Sequence, residues 1–380
     1  MKVAAEQRER DRVHMARCLE LAERYRGKTS PNPIVGCVIV DKRGTVIAEG
    51  AHAGPGKAHG EIAALKQLEG RKAKGATLYV NLEPCNHHGR TPPCAPVVRD
   101  SGVARVVIGM DDPIEGHGGG IAVLKAAKIA VTTDVLRAQC ERANLPFVMH
   151  ARYGRPAFTL KAAITLDGKI ATVAGESKWI TGEAARADVM RLRSTHDAVL
   201  VGVGTVLADD PALTARVKGG RDPIRIILDS MLRTPPTARL LEGAANLSAK
   251  GEGPRVIIVA GMNAPAERES ALISQGADVW CVPADANGRL DLQAVALMLG
   301  DSKITSVLVE GGGEVHASLL SEGLADQLVL YVAPKIVGGP AKSWVGGVGI
   351  PGISAALPFV FDAAVTRLGD DLRLTGVPVR

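Results

Sequence analysis

Four residues constrain this chain more than any others: His59, Glu61, Cys85 and Cys94. Imidazole nitrogen and thiolate sulfur are ligands that zinc favours, and a catalytic zinc keeps three protein ligands, leaving a fourth position for water. His59, Cys85 and Cys94 supply that set, with Pro84 directly before the first cysteine. Zinc bound in this way lowers the pKa of water from about 16 to roughly 7, which makes hydrolysis feasible at neutral pH. Glu61 stands too close to His59 in sequence to be a comfortable fourth ligand, and is free to carry protons from water to a leaving group. A regular helix does not put residues i and i+2 side by side. The metal is therefore expected at a helix N-terminus, where His59 and Glu61 can both turn towards it.

Each part has a bland reading on its own. His-x-Glu occurs by chance in many helices, and cysteines in a reducing compartment are usually inert core thiols. Together, and with the proline, they match the pattern of zinc deaminases, in which the glutamate acts as acid and base and is not a ligand. The departure is in spacing, because residues 86–93 separate the cysteines where that pattern has two residues. His87 and His88 lie inside this insert. They compete in principle as ligands, although lining the site or contacting substrate is the preferred reading.

The run Pro84-Cys85-Asn86-His87-His88-Gly89-Arg90-Thr91-Pro92-Pro93-Cys94, preceded by Pro31-Asn32-Pro33-Ile34-Val35-Gly36, resembles the deaminase half of the bifunctional riboflavin-biosynthesis enzymes. In that family a pyrimidine deaminase is fused to a reductase for its product. Gly60 stands where the family usually has alanine. Glycine in a helix costs about 1 kcal/mol relative to alanine, less in the first turn. Further on, Lys161 to Lys169, Gly175 to Thr181 and Thr205 to Thr214 resemble the reductase half, with Thr165 where serine is common.

At 380 residues the chain is long for one domain and suits two. Apolar residues make up 46% and can fill two cores, while aromatics are only 3%. The formal charge of +6 suits phosphorylated ligands. A nucleic-acid surface would need a concentrated basic patch with stacking aromatics, and neither is visible. Six scattered cysteines fit a reducing compartment. The first 26 residues are too charged for a signal peptide, and no run reaches the roughly 18 apolar residues of a membrane span. A cytoplasmic protein without membrane or nucleic-acid partners is expected.

In chain order, Arg12 to Tyr25 reads as an amphipathic helix, Val35 to Val40 as a buried strand, and Asp41 to Gly44 as a hairpin turn. A glycine- and proline-rich loop then delivers His59 to a helix running through Leu68. Thr77 to Asn81 is a strand leading to Glu83-Pro84-Cys85, and Cys94 opens the next helix, whose dipole favours thiolate. Val103 to Gly109 and a helix around Gly120 to Ala127 complete an alternating α/β pattern. The mixed stretch Asn144 to Pro156 sets a boundary near 150. Beyond it come strands at Ala157 to Ala163, Ala198 to Gly202, Ile224 to Asp229, Val256 to Ala260, Ala277 to Val282 and Val307 to Val309, with a helix at Glu183 to Arg193 and a polar stretch at Ser248 to Gly253. Gly202-Val203-Gly204 alone is a weak nucleotide signal. Val309-Glu310-Gly311-Gly312-Gly313-Glu314, feeding a helix through Leu320, reads either as a backbone cradle for phosphate or as a plain glycine turn.

The resemblance implies a cytidine-deaminase-like three-layer α/β/α domain over residues 1–150. It implies a dihydrofolate-reductase-like α/β domain over 151–380. Implied cofactors are one zinc and NADPH, and the implied partners are small phosphorylated pyrimidines, with a homo-oligomer expected. The zinc ligands would be His59, Cys85 and Cys94, with Glu61 catalytic and with Asn32 and His52 on the deaminase substrate. Carried over by motif, Ala163, Trp179, Thr205, Asp209, Ser230 and the run Gly312, Gly313, Glu314, Val315, His316, Ala317 and Ser318 would face NADP. Ser177, Arg193, Leu213, Arg216 and Glu310 would face the sugar phosphate, the two arginines through bidentate charge-assisted bonds. The implied activity is removal of a pyrimidine amino group followed by reduction of a ribosyl group. Alternatives are a deaminase with an inactive reductase half, a nucleic-acid-editing deaminase, and a structural zinc module. The open fourth position disfavours the last.

Overall fold

A computed structural model describes residues 2–69, 73–245 and 255–379, so the polar stretch Ser248 to Gly253 lies outside the described residues. The chain divides into two units, Met1–Gly154 and Arg155–Arg380. The expected boundary near 150 falls inside a helix, because most of the mixed stretch Asn144 to Pro156 forms α6 (Leu145–Tyr153), with Pro146 in its first turn. Proline is tolerated there, since the first helical N–H groups have no intrahelical partner.

In the first unit, the apolar run of β1 (Gly36–Val40) is buried along its whole length. It pairs antiparallel with β2 (Val46–Ala51) and with β3 (Thr77–Leu82), and β3, β4 (Arg105–Met110) and β5 (Ala130–Thr132) continue in parallel. The sheet order is β2-β1-β3-β4-β5. Alternation along β1 fixes the layers. A Cβ on Gly36 would strike Cys18 in α1 (Lys2–Glu23), whereas Gly50, paired with Cys37 on the opposite face, lies against α2 (Gly60–Lys66). Helix α5 (Arg137–Ala143) shares the α1 face, and α3 (Cys94–Asp100) packs with α2 and with α4 (Gly120–Ala126) on the other. This is the expected three-layer α/β/α arrangement. Helix α1 begins well before Arg12, because charged residues on an exposed helix face leave no apolar period to read.

In the second unit a ten-stranded sheet has the main order β10-β9-β8-β7-β11-β6-β12-β15-β13. The strands are β6 (Ala157–Thr165), β7 (Ala198–Gly202), β8 (Ile224–Leu228), β9 (Val256–Gly261), β10 (Ala277–Val282), β11 (Ser306–Gly311), β12 (Ala325–Ala333), β13 (Phe359–Phe361), β14 (Thr366–Leu368) and β15 (Asp371–Pro378). Strands β10 through β12 run parallel, and β15 returns antiparallel to β12. Val199, Val201, Val307, Leu308 and Val309 are fully buried, and each such side chain contributes about 1.5–3 kcal/mol. The strands after β7 step outward to β10, and β11 returns between β7 and β6. Open α/β sheets bind ligands where the strand order reverses in this way, at the carboxyl ends. Helices α7 (Glu183–Thr195), α8 (Val203–Asp209), α9 (Ala266–Ser274), α10 (Leu292–Asp301) and α11 (Gly313–Ser321) connect the strands. Among the described residues no helix is long and apolar enough to cross a membrane.

Candidate metal centre and the cleft of the second unit

His59 is the N-cap of α2, with extended backbone (φ −69°, ψ 165°), and Glu61 is the second residue of that helix. The non-helical cap lets the imidazole turn back beside a carboxylate that regular helical geometry would separate from it. Cys85 follows β3, and Cys94 is the first residue of α3. The candidate ligand atoms of His59, Cys85 and Cys94 all lie within 4.8 Å of one another. His59 Nδ1 is 3.5 Å from Cys85 Sγ and 3.3 Å from Cys94 Sγ. These separations suit one tetrahedral zinc with bonds of about 2.0–2.3 Å.

The electrostatics match that donor set. Cys94 pulls the Cys85 thiol down to about 4, and His59 assists against the opposing effect of burial. The Cys94 backbone N–H also donates to Cys85 Sγ, at 3.4 Å. The Cys94 thiol is correspondingly pushed up, chiefly by Cys85. The pair thus retains a proton that a cation would displace. Burial raises the Glu61 carboxyl to about 7. Its Oε2 is buried without a hydrogen-bond partner, which is costly unless a ligand satisfies it. With a metal on Nδ1, the side that faces both sulfurs, the other nitrogen of His59 would carry the hydrogen. It lies 3.4 Å from Thr91 Oγ1, the kind of outer contact that orients a ligating histidine.

His59, Glu61, Cys85 and Thr91 line a cavity of about 290 Å³ together with Asn32, His52, Asp112, Ile114 and His117. His52 Nδ1 lies 3.1 Å from the Ala58 carbonyl and Nε2 lies 3.3 Å from the Asn32 amide nitrogen. Burial lowers its pKa, so it is neutral, donating from Nδ1 and accepting from Asn32. His87 stacks on His117 with ring centroids 4.0 Å apart, and it lines the wall instead of joining the donor set. His88 is exposed. Two buried asparagines hold the chain behind Asn32. Ile34 N–H donates to Asn144 Oδ1, and its carbonyl accepts from Asn81 Nδ2 and Asn144 Nδ2.

In the second unit the expected coenzyme residues come from the carboxyl ends of different strands. Ala163 is near the end of β6, Thr205 and Asp209 lie in α8 after β7, and Ser230 follows β8. Gly311 closes β11 and packs against Thr205, where a Cβ would come within 2.6 Å of Oγ1. Gly312 has φ +88°, a conformation that side chains resist, and its missing Cβ would meet nothing closer than 3.5 Å. A ligand can therefore approach the backbone at this point. The run from Glu314 to Ser318 is helical, so its residues point different ways. His316 is buried between carbonyls, whereas Ser318 accepts from Arg289 at 3.4 Å. Trp179 is exposed, with the Arg186 guanidinium 4.5 Å from its ring.

Of the sugar-phosphate candidates, Ser177 donates to Asp209 Oδ1 at 3.4 Å, and Leu213 is buried with φ +53°. Arg216 is exposed in an open depression. Arg193 already has a bidentate carboxylate partner in this structure. Its Nε and Nη2 bind Glu310 at 2.5 and 2.9 Å, and Nη1 donates to the Thr214 carbonyl. Lys161 Nζ lies 3.6 Å from Glu310 Oε2. Burial alone would raise the Glu310 carboxyl, but Arg193 and Lys161 hold it down at about 2.

Sequence reasoning passed over Thr91, Asp112 and Lys161, and also Glu83, whose carboxylate accepts N–H bonds from Gly119 and Ile121 and a longer one from Asp112. Thr91 and Lys161 stood inside motifs already noticed. Glu83 was legible only as the residue before a proline.

The pattern of the cytidine and deoxycytidylate deaminase zinc-binding region matches residues 8–110, and that of the RibD C-terminal domain matches residues 156–373. The riboflavin biosynthesis protein RibD of Bacillus amyloliquefaciens is 41% identical over 97% of this chain and 96% of its own length. That of Escherichia coli K12 is 38% identical over 96% and 98%. Among solved structures, Acinetobacter baumannii RibD covers 98% of this chain and 100% of its own, at 35% identity and TM-score 0.82. A diaminohydroxyphosphoribosylaminopyrimidine deaminase/5-amino-6-(5-phosphoribosylamino)uracil reductase from Thermotoga maritima matches with TM-score 0.82 at 34% identity, over the same shares of both chains. With its zinc-binding deaminase domain and its reductase domain, the chain belongs to the RibD family of bifunctional riboflavin-biosynthesis enzymes.

Proposed function

We propose that the first unit hydrolyses the 2-amino group of 2,5-diamino-6-(5-phosphoribosylamino)pyrimidin-4-one. The second unit then reduces the ribosyl group, giving 5-amino-6-(5-phosphoribitylamino)uracil. The observation that carries this reading is the convergence of His59, Cys85 and Cys94 within 4.8 Å, beside a buried Glu61 carboxyl that lines one cavity with His59 and Cys85. His59, Cys85 and Cys94 would hold zinc, which supplies an open coordination position and a more acidic water. Glu61, held near neutrality by burial at about 7, takes one proton from the attacking water and passes it to the ring nitrogen, then moves the second proton from the added hydroxyl to the amine, which leaves as ammonia. Asn32 keeps its amide oxygen for the pyrimidine, because its nitrogen is engaged by His52.

In the second unit, NADPH when bound would supply the hydride for reduction at the open-chain C1′ of the sugar. Thr205, Asp209, Ser230 and the Gly311–Gly313 turn form the coenzyme side, at the carboxyl ends of the strands. Trp179 and the outer face of α11 border it. Ser177, Leu213 and Arg216 bound the sugar phosphate. Glu310, kept ionised by Arg193 and Lys161, binds sugar hydroxyls, and Arg193 acts through it. The protein is taken to work in the cytoplasm as a homo-oligomer without a nucleic-acid partner; its cysteines, free and mostly buried, fit a reducing compartment.

The test is incubation of the purified protein with the diaminopyrimidinone, with and without NADPH. Ammonia release without NADPH, and ribityl product only with it, are expected. Ammonia without NADPH oxidation would leave a deaminase with an inactive second half. Metal analysis checks the ligands: Cys85→Ser should lose the zinc, whereas loss in a His87 or His88 variant with retention in Cys85→Ser would reassign them.

A further inference from the structure

Between β12 and β13 the chain passes back across the carboxyl ends of β6 and β11. Residues 342–347 are fastened on both sides of that crossing. On the β6 side Ile170 N–H donates to the Lys342 carbonyl at 2.9 Å, and Lys169 and Ser343 form an isolated antiparallel bridge. On the α11 side Gly346 N–H donates to the Gly313 carbonyl at 2.9 Å, and Gly347 N–H donates to Glu314 Oε1 at 3.0 Å. Ser343 O approaches Gly313 so closely that a Cβ there would come within 2.9 Å. This strap therefore shares the Gly311–Gly313 turn with whatever ligand lies against Gly312.

One buried side chain ties the strap to the sheet. His316, 3% exposed, lies on the inner face of α11. Its Nδ1 is 2.9 Å from the Trp344 carbonyl and its Nε2 is 3.4 Å from the Val309 carbonyl in β11. Burial lowers its pKa, so the ring is neutral and has one N–H to give. The shorter distance assigns that N–H to Trp344. Packing alone would have been served by an apolar residue at this point, since a buried polar ring is costly unless hydrogen-bonded.

We propose that His316 is a positioning residue of the reductase. It pins the 342–347 strap through the Trp344 carbonyl and so sets the width of the cleft in which NADPH lies against the glycine turn. The proposal rests on the reading of the second unit as an NADPH-dependent reductase.

The experiment is a fluorescence titration of the full-length protein with NADPH, paired with steady-state reduction. His316→Phe keeps a ring but loses the N–H. It should raise the NADPH Kd roughly tenfold, the scale of one lost hydrogen-bonded contact. kcat at saturating NADPH should stay within about threefold, as expected when binding and not chemistry is affected. Ammonia release, which belongs to the other unit, should be unaltered. His316→Asn, whose amide can donate to the same carbonyl, should recover most of the affinity; a merely structural role would instead lower the thermal midpoint in both without separating Kd from kcat. Gly346→Val displaces the strap from Glu314 with His316 intact, and should give the same loss even if the buried substitution fails to fold. Wild-type affinity in folded His316→Phe, or in Gly346→Val, overturns the proposal. A wild-type protein that does not bind NADPH overturns the reductase reading itself.

Discussion

In the first unit three side chains meet within 4.8 Å, each delivered by the end of one element, and a fourth is buried beside them. In the second unit the candidate residues are spread over the ends of β6, β7, β8 and β11, with glycines at the end of β11. Zinc accepts few residue types, so its site is written in identities. A dinucleotide cleft accepts almost any side chain that leaves the backbone accessible, so its site is written in positions and glycines. Charge also behaves differently. Around Glu61 burial is left largely uncompensated and pushes the carboxyl up, whereas around Glu310 two cations overcome burial and push it down. The first arrangement suits a group that exchanges protons and the second suits one that holds its charge.

The largest expected effect tests the proton-carrying side of this contrast. Glu61→Gln should lower deamination by about 10²–10⁴-fold, with zinc retained and reduction of pre-deaminated substrate intact. Loss of both activities would mean that the sites are not independent. Next comes Arg193→Ala, which strands a buried carboxylate and should cost about 3–5 kcal/mol of stability in the second unit, read by denaturant unfolding. A rise in substrate KM without loss of stability would instead assign Arg193 to recognition.

Acid titration probes the same pair without mutation. Glu310 has a folded pKa lowered to about 2, so its stabilisation is fully present above the ordinary carboxylate value of about 4.3. It is lost as pH falls from there towards about 2. Glu310→Gln should flatten that part of the stability curve, and an unchanged curve would show that the pair contributes nothing.

Smaller again is Glu83→Gln, which places an amide against N–H groups that now meet a carboxylate, costing about 1–3 kcal/mol. The pyrimidine KM should rise while zinc content holds, because Glu83 fixes the loop that carries Asp112 and His117; loss of zinc would make Glu83 a support of the ligands instead. The least effect is expected for Arg186→Gln, whose contact with exposed Trp179 is worth about 0.5–1 kcal/mol. A larger change in NADPH affinity would mean that the pair closes over the coenzyme.

The candidate metal centre was readable because His59, Glu61, Cys85 and Cys94 are tied to chemistry by type, and the placement of His59 and Glu61 at a helix start followed from their i, i+2 spacing. The parallel core strands were readable as short apolar runs. Strand β12, buried along most of its length, went unread because its mixed sequence ADQLVLYVA follows no clean alternation. Helix α6 went unread because the mixed stretch Asn144 to Pro156, with its prolines, glycine and aromatics, shows no helical period and was used only to set a boundary near 150. The pairing of Arg193 with Glu310 was beyond reach, since residues so far apart in sequence meet only through the order in which β11 enters the sheet.

The two asparagines around Ile34 carry a lesson about modularity. The three candidate metal donors lie before residue 110, where the likeness to the zinc-binding region ends. A polypeptide cut at that point would nevertheless lose Asn144, and with it the acceptor for the Ile34 amide and one of two donors to its carbonyl. Of the two asparagines at Ile34, Asn81 alone would then remain. An autonomous deaminase, whether made by gene fission or in the laboratory, must extend past Asn144, with Gly154 the natural place to end it.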